Sequence, residues 1–226
     1  GANNVALRYI KAGGGAKYIW LLNNDTVVAA NALRKMVEFA EDDPTVGIVG
    51  SKILEYREPD RVQALGGGRL ITWQGRTELS GAGQIDDSDA GDAIELDYIT
   101  GASFLVRSKL VDEIGLMDTG YFLYSEEVDW CLRARRRGWR LMCCAASRVW
   151  HKGGGSVTYG SPLHDYHTVR SSLLLVRKFF PQLLFFAFFY SAYRHAAPKL
   201  LRLQGGRLKA VCRAYRDFLW HGGTKG

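Results

Sequence analysis

Hydrophobic positions along the chain fall first into a helical period and then into short unbroken runs. In Ala2 to Ala12 the apolar residues Val5, Ala6, Tyr9 and Ile10 recur at helical spacing and stop at Gly13-Gly14-Gly15, which predicts a helix with a glycine end. Lys17 to Asn23, KYIWLLN, is a short apolar run ending in polar residues and predicts a buried parallel strand. Leu33, Met36, Val37 and Ala40 restore the helical period over residues 30–42, before Pro44. The run VGIVGSKIL that follows predicts a second buried strand. This alternation predicts an α/β fold around a mainly parallel sheet flanked by helices.

From Glu55 to Asp92 the pattern weakens, and both Gly66-Gly67-Gly68 and the acidic DDSDAGD, Asp86 to Asp92, read as loops. Strand character returns from Ile94 to Ser108, interrupted by Gly101, and residues 108–115 suit a short helix. The stretch YFLYSEEVDWCLRARRRGW, Tyr121 to Trp139, predicts a helix capped by Ser125 and ended by Gly138. RLMCCAA and SRVWHKGGGS read as a strand and a strand end. After Gly160 the chain turns helical and aromatic.

That last region changes the picture of charge. Residues 1–176 hold 20 Lys/Arg and 22 Asp/Glu, whereas residues 177–226 hold 10 Lys/Arg and one acid, Asp217, so the net charge of +7 sits in the tail. A near-neutral body argues against a nucleic-acid-binding body, and a basic tail suggests an anionic partner. Phe179 to Tyr193 is a charge-free run of 15 residues, shorter than the ~20 needed to span a bilayer. Arg177, Lys178, Arg194, Lys199 and Arg202 flank it. The pattern fits a helix lying in a membrane interface beside anionic lipid rather than a buried helix or dimer contact. Four cysteines without C-x-x-C spacing read as reduced core thiols, consistent with a cytoplasmic, membrane-peripheral protein.

Three constellations carry candidate chemistry. In LLNNDT a strand runs out into Asn23, Asn24 and Asp25, where a carboxylate can hold a hard divalent cation together with phosphate oxygens. In VWHKGGGS, His151 follows a strand and precedes glycines that let backbone approach a phosphate. In SEEVDW, Glu126 and Glu127 stand at a helix start, where the macrodipole favours the ionised carboxylate that a general base requires, while Asp129 faces Arg133 four residues on as an ion pair. Each feature alone has a plain structural reading as a turn, a surface histidine or a dipole-complementing acid.

Their order in one chain resembles the family-2 inverting glycosyltransferases, especially rhamnosyltransferase-like members. LLNNDT is similar to the family's DxD-type metal motif. TGASFLVRSKLVDEIGLMDTGYFLYSEEVDWCLRARRRGWRLMCCAASRVWHKGGGS resembles the block from the acceptor-side Gly-Ala segment through the Glu-Asp base motif to the H-x-x-G-x-S element. YHTVRSSLLLVRK and GANNVALRYI resemble the helices beyond and before it. The resemblance implies a GT-A, Rossmann-like domain over residues 1–160, lacking the first nucleotide-binding strands, with a helical, basic and aromatic appendage over 161–226. It implies Mg2+ or Mn2+ on Asp25, bridging the diphosphate of a nucleotide-sugar donor, with His151 as a further ligand. Asn23 and Asn24 would lie near the nucleotide or metal. Gly101, Ala102 and Ser103 would face donor sugar and acceptor. Glu127 would be the base, where the family usually has Asp, with Glu126, Trp130 and Arg133 supporting it. The acceptor would be a saccharide or lipid-linked, in cell-surface polysaccharide synthesis. The Glu-for-Asp change and the absent strands also suit a catalytically inactive, membrane-associated scaffold.

Overall fold

The computed structural model describes residues 1–86, 93–153 and 158–221. The chain gathers into two compact units, Gly1–Arg69 with Glu78–Asp118 and Glu127–Gly153, and Leu70–Thr77 with Thr119–Glu126 and Gly154–Gly226. The helical tail thus collects two short segments from earlier in the chain, which no composition shift announces.

The first unit opens with α1 (Ala2–Ala12), β1 (Tyr18–Leu22), β2 (Thr26–Val28), α2 (Ala32–Asp42) and β3 (Val46–Glu55). It continues through β4 (Val62–Leu65), β5 (Gly67–Ile71), β6 (Arg76–Leu79), β7 (Ile94–Glu95), β8 (Tyr98–Ile99) and β9 (Ser103–Arg107). It closes with α3 (Ser108–Ile114), α4 (Glu126–Arg136) and β10 (Arg140–His151); β5, β6 and α4 each run across a unit boundary. The main sheet has the order β1-β9-β3-β10-β2, with β4 beside β3 and β7 beside β10. β3 and β10 are parallel neighbours from Arg140↔Val46 to His151↔Glu55, with a bulge between Cys144 and Arg148. β9 runs antiparallel to both β1 and β3. β1, β3 and β10 therefore share one direction with a reversed strand set among them. The apolar run of β1 is accordingly a half-buried strand with an antiparallel neighbour, not a fully buried parallel one.

The continuous apolar run of β3 has its reason in burial: every residue from Val46 to Leu54 is buried. α2 lays Met36 and Ala40 onto Val46, Val49, Leu105 and Met142 to form one core. Behind it Ser51 Oγ is 2.8 Å from Ser103 Oγ and 2.9 Å from Ser147 Oγ, a buried hydroxyl chain tying three strands together. Cys131, Cys143 and Cys144 are free and buried, and burial pushes the Cys143 thiol up to about 12, so these thiols are inert packing.

The glycine triplet is not a loop. β5 pairs with β8 through Gly67↔Ile99 and Gly68↔Tyr98. A Cβ on Gly67 would lie 2.0 Å from the Tyr98 carbonyl oxygen, and one on Gly68 would lie 1.7 Å from that of Glu78. Three backbones approach so closely here that no side chain fits. Of the acidic DDSDAGD segment, Asp87 to Asp92 lie outside the described residues, as do Gly154 to Val157 of the glycine-rich segment after His151.

The second unit is built on α5 (Pro162–Phe179), α6 (Leu184–Ser191), α7 (Ala197–Leu201) and α8 (Gly205–His221). Ser161 caps α5 by accepting from the His164 backbone N–H at 3.1 Å, with Pro162 in the first turn. α5 buries Val169, Leu173 and Val176, and α8 buries Val211, Ala214 and Phe218. Asp165 is buried and accepts from Arg207 Nε at 2.6 Å, with Lys199 Nζ 3.1 Å away, so one carboxylate joins α5, α7 and α8. Pro181 cannot continue α5, so the charge-free run divides into the end of α5, a 3-10 turn and α6. Among the described residues no helix is long and apolar enough to cross a membrane.

Candidate functional site

The end of β1 and the end of β10 meet through β2. Asn23 leaves β1 with its N–H bonded to the Ala102 carbonyl at 3.2 Å, and Thr26 Oγ donates back to the Asn23 carbonyl at 2.6 Å. This closes the turn that holds Asn24 and Asp25. β2 then pairs antiparallel to β10 with Thr26 opposite His151, which sets Asp25 beside the imidazole. His151 Nε2 lies 3.2 Å from Asp25 Oδ1, and both side chains are partly shielded from solvent. On its other side, His151 Nδ1 lies 2.7 Å from Gln63 Oε1. Gln63 is on β4, in the region whose periodicity is weak, so no local sequence signal marks it.

In the neutral imidazole with Nδ1 donating to the Gln63 oxygen, Nε2 turns its lone pair toward a carboxylate. Two electron-pair donors face each other, an arrangement that a shared cation relieves. Two ligands at right angles, each ~2.1 Å from a Mg2+-sized ion, stand ~3.0 Å apart, close to the observed 3.2 Å. No group of three or more His, Cys, Asp or Glu side chains is arranged for a metal among the described residues. The donor set therefore fits an ion that takes its remaining ligands from water and phosphate oxygens, as small hard cations do.

Beside this turn, Gly101 borders open space, because a Cβ there would meet nothing within 4 Å. Ala102 is buried and presents its carbonyl to Asn23. Ser103, expected to face substrate, is instead fully buried: its hydroxyl accepts from Trp20 Nε1 at 3.0 Å and joins the Ser51 chain. Ser103 opens β9 with its side chain in the core, and Ala102 before it lies in a buried cluster with Ile53, Ala64 and Val149.

The helix α4 separates its residues more sharply than its sequence does. Trp130, expected to support the base, is fully buried, stacks on Phe104 with ring centroids 5.6 Å apart and donates from Nε1 to the Gly115 carbonyl at 2.8 Å. Arg133, likewise expected to support the base, donates to Asp129 Oδ1 at 2.7 Å, to the Leu116 carbonyl at 2.8 Å and to the Ile114 carbonyl. Three successive carbonyls at the end of α3, Ile114 to Leu116, are thus held by two side chains of α4. These residues fix the helix on the sheet. The Asp129–Arg133 ion pair is as the spacing predicts.

Glu127 lies one turn ahead of Cys131 on the same face of α4, and its charge helps raise the Cys131 thiol, which burial lifts first. Cys131 Sγ in turn accepts from the Ile99 N–H at 3.4 Å, which packs this face against β8, two residues before Gly101. Glu126 differs. Its Oε2 is buried with no hydrogen-bond partner among the described residues. Burial raises its carboxyl above the ordinary range, although a backbone hydrogen bond opposes the shift. For Glu126 desolvation therefore outweighs the helix N-terminus, contrary to the expectation from the dipole alone. Tyr124 and Ser125 precede it with φ of 64° and 70°, left-handed conformations that cost side-chain-bearing residues energy and concentrate at functional sites. Ser125 thus lacks the extended backbone usual for a helix cap.

A family model described as glycosyltransferase like family 2 matches residues 2–161. No curated protein sequence matches the chain. Among solved structures, the crystal structure of GalNAc-T7 with UDP, GalNAc and Mn2+ superimposes with a TM-score of 0.53 at 18% identity, over 76% of this chain and 33% of that one. The chain thus spans about a third of the length of GalNAc-T7 as solved. The mannosyltransferase PcManGT from Pyrobaculum calidifontis, solved in complex with GDP-Man and Mn2+, gives 0.49 at 13% identity, over 96% of this chain and 65% of that one.

Proposed function

The chain belongs to glycosyltransferase family 2 and has the GT-A fold, and on that premise we propose that it transfers a sugar from a nucleotide-diphosphate donor, with inversion, to a saccharide or lipid-linked acceptor. The observation that carries the proposal is the facing of His151 Nε2 and Asp25 Oδ1 at 3.2 Å, with Gln63 fixing the imidazole from behind. Asp25 and His151 would hold Mg2+ or Mn2+, whose charge, when bound, offsets that of the departing diphosphate. Asn23 and Asn24 precede Asp25 in the same turn, and Gly101, which borders open space, precedes the Ala102 whose carbonyl binds the Asn23 N–H.

The reaction is one displacement at the anomeric carbon. The acceptor oxygen bonds to that carbon as the carbon–phosphate-oxygen bond breaks, and the bonding pair leaves with the diphosphate. Glu127 takes the acceptor proton. Glu126 is the second candidate for that proton, favoured by its raised carboxyl and by a buried oxygen with no hydrogen-bond partner among the described residues. We propose rhamnose or a similar sugar as the group transferred, in cell-surface polysaccharide synthesis, from the sequence resemblance alone.

A screen of nucleotide-diphosphate sugars with and without Mn2+ tests the proposal, read as nucleotide release with acceptor present. Turnover should require the metal and vanish in Asp25→Ala. Mn2+ should raise the melting temperature of the native chain and not that of Asp25→Ala or His151→Ala. Glu127→Gln should abolish turnover while retaining Mn2+ stabilisation; if Glu126→Gln does so instead, the base is Glu126. Mn2+ stabilisation that survives both Asp25→Ala and His151→Ala would refute the metal assignment. A metal-binding chain without turnover on any donor would favour the inactive scaffold.

A further inference from the structure

The helix α6 is inside out. Its two small residues Ala187 and Ser191 are buried, while Phe185 and Phe189 on the opposite side and Tyr193 in the turn that follows are 66%, 59% and 74% exposed. A surface helix of a globular protein ordinarily buries its apolar stripe. Here the inward side is already satisfied: Ser191 Oγ is 3.0 Å from Tyr215 OH, and Phe188 packs on the same ring at 5.0 Å. The outward rings also contact one another, Phe185 and Phe189 at 4.6 Å, forming one patch instead of scattered residues.

Charge identifies what covers this patch. Next to it lies a groove of about 330 Å³ lined by Tyr193, Ala197, Pro198 and Leu201, with Arg194 and Arg202 among its walls. Neither arginine forms an ion pair with a carboxylate among the described residues. Asp217, the sole acid in residues 177–226, is occupied by Tyr166 OH at 2.9 Å and by Arg216 at 3.0 Å. A second copy of the chain docking through the same face about a two-fold axis would bring these arginines toward their own equivalents, which disfavours self-association. An anionic bilayer instead offers acyl chains to the rings and phosphates to the guanidinium groups.

We infer that this face of the second unit seats on an anionic phospholipid surface, Phe185, Phe189 and Tyr193 entering the interface and Arg194 and Arg202 contacting lipid phosphates. The attachment proposed for this face is a reversible seating on an anionic leaflet, such as the cytoplasmic one. Attachment is read as partition and does not depend on turnover, so it stands apart from the transfer reaction.

The test is flotation of the full chain with vesicles of phosphatidylcholine alone or with 30% phosphatidylglycerol. The native chain should partition at least ~10-fold more strongly into the mixed vesicles. Arg194→Gln with Arg202→Gln should weaken that partition by roughly fivefold per arginine. Phe185→Ser with Phe189→Ser should weaken it by at least ~10-fold. All four positions are exposed, so melting temperatures should be unchanged, and the two pairs test charge and insertion separately. Equal partition into both vesicle types, or retained partition in both pairs, would overturn the inference. So would sedimentation of the native chain as a dimer that Phe185→Ser with Phe189→Ser dissociates, with no vesicle binding; the face would then belong to a second copy.

Discussion

Arg133 offers a prediction whose size follows from its contacts. Its guanidinium spans Asp129 and the Ile114 and Leu116 carbonyls, and the Asp129 side chain is 0% exposed while that of Arg133 is 21% exposed. Arg133→Met removes the counter-charge of a fully buried carboxylate and the donors of two carbonyls. Breaking such a pair costs about 3–5 kcal/mol, and the partial exposure of Arg133 argues for the lower end, ~3 kcal/mol. For a chain of this size that is a fall of roughly 6–12 °C in melting temperature. Arg133→Lys keeps the charge and loses the planar fork, so a loss of about 1–2 kcal/mol is expected. The control is the solvent-facing pair Arg34–Glu38, 3.9 Å apart with side chains 69% and 52% exposed, where Arg34→Met should change stability by less than ~0.5 kcal/mol. Denaturant midpoints of the three variants, measured side by side, give the comparison. If Arg133→Met and Arg34→Met agree within ~0.5 kcal/mol, the carbonyl staple does not hold α4 in place and the reasoning fails.

Burial, then Lys199 and Arg194, lower His195 from 6.5 to about 4, so the folded chain holds it neutral. Stability from this group is complete above pH 6.5 and falls as pH drops toward 4, because the unfolded chain binds the proton first. Burial lowers His164 and His167 in the same direction, so His195→Gln should flatten but not erase the loss of melting temperature between pH 7 and pH 5. Gly67→Ala places a Cβ 2.0 Å from the Tyr98 carbonyl oxygen. A backbone cannot yield as a flexible side chain does, so a loss of at least ~3 kcal/mol or failure to fold is expected by circular dichroism. Ser51→Ala removes the hydroxyl joining Ser103 and Ser147 and should cost about 1–2 kcal/mol in denaturant titration. A neutral result would show that the two remaining hydroxyls find other partners.

Sequence alone supplied the elements with strong periodicity: α1, α2, the run of β3, the helix through Glu126 and the Asp129–Arg133 pair are all at their expected places. For α2 and β3 burial of one face writes its own period, and an i,i+4 pair needs only a helix; α1 stands at its place although Val5 and Tyr9, whose spacing predicts it, are exposed and Asn4 and Leu7 are the buried residues. The order of LLNNDT, SEEVDW and VWHKGG also pointed to the family that matches residues 2–161. Tertiary structure decided the rest. Gln63 joins His151 through a strand with little pattern of its own, 88 residues away in sequence. Ser103 turned inward because the pairing of β9 with β1 and β3 fixes its face. Trp130 and Arg133 became internal because carbonyls released at the end of α3 needed donors, a demand set by another segment. Glu126 and Glu127, adjacent and alike in the chain, acquired different environments because burial at a helix start depends on what packs there. The hydrophobic run of α6 was legible, but its outward orientation was not: which face of a helix is covered depends on neighbours distant in sequence, here Tyr215.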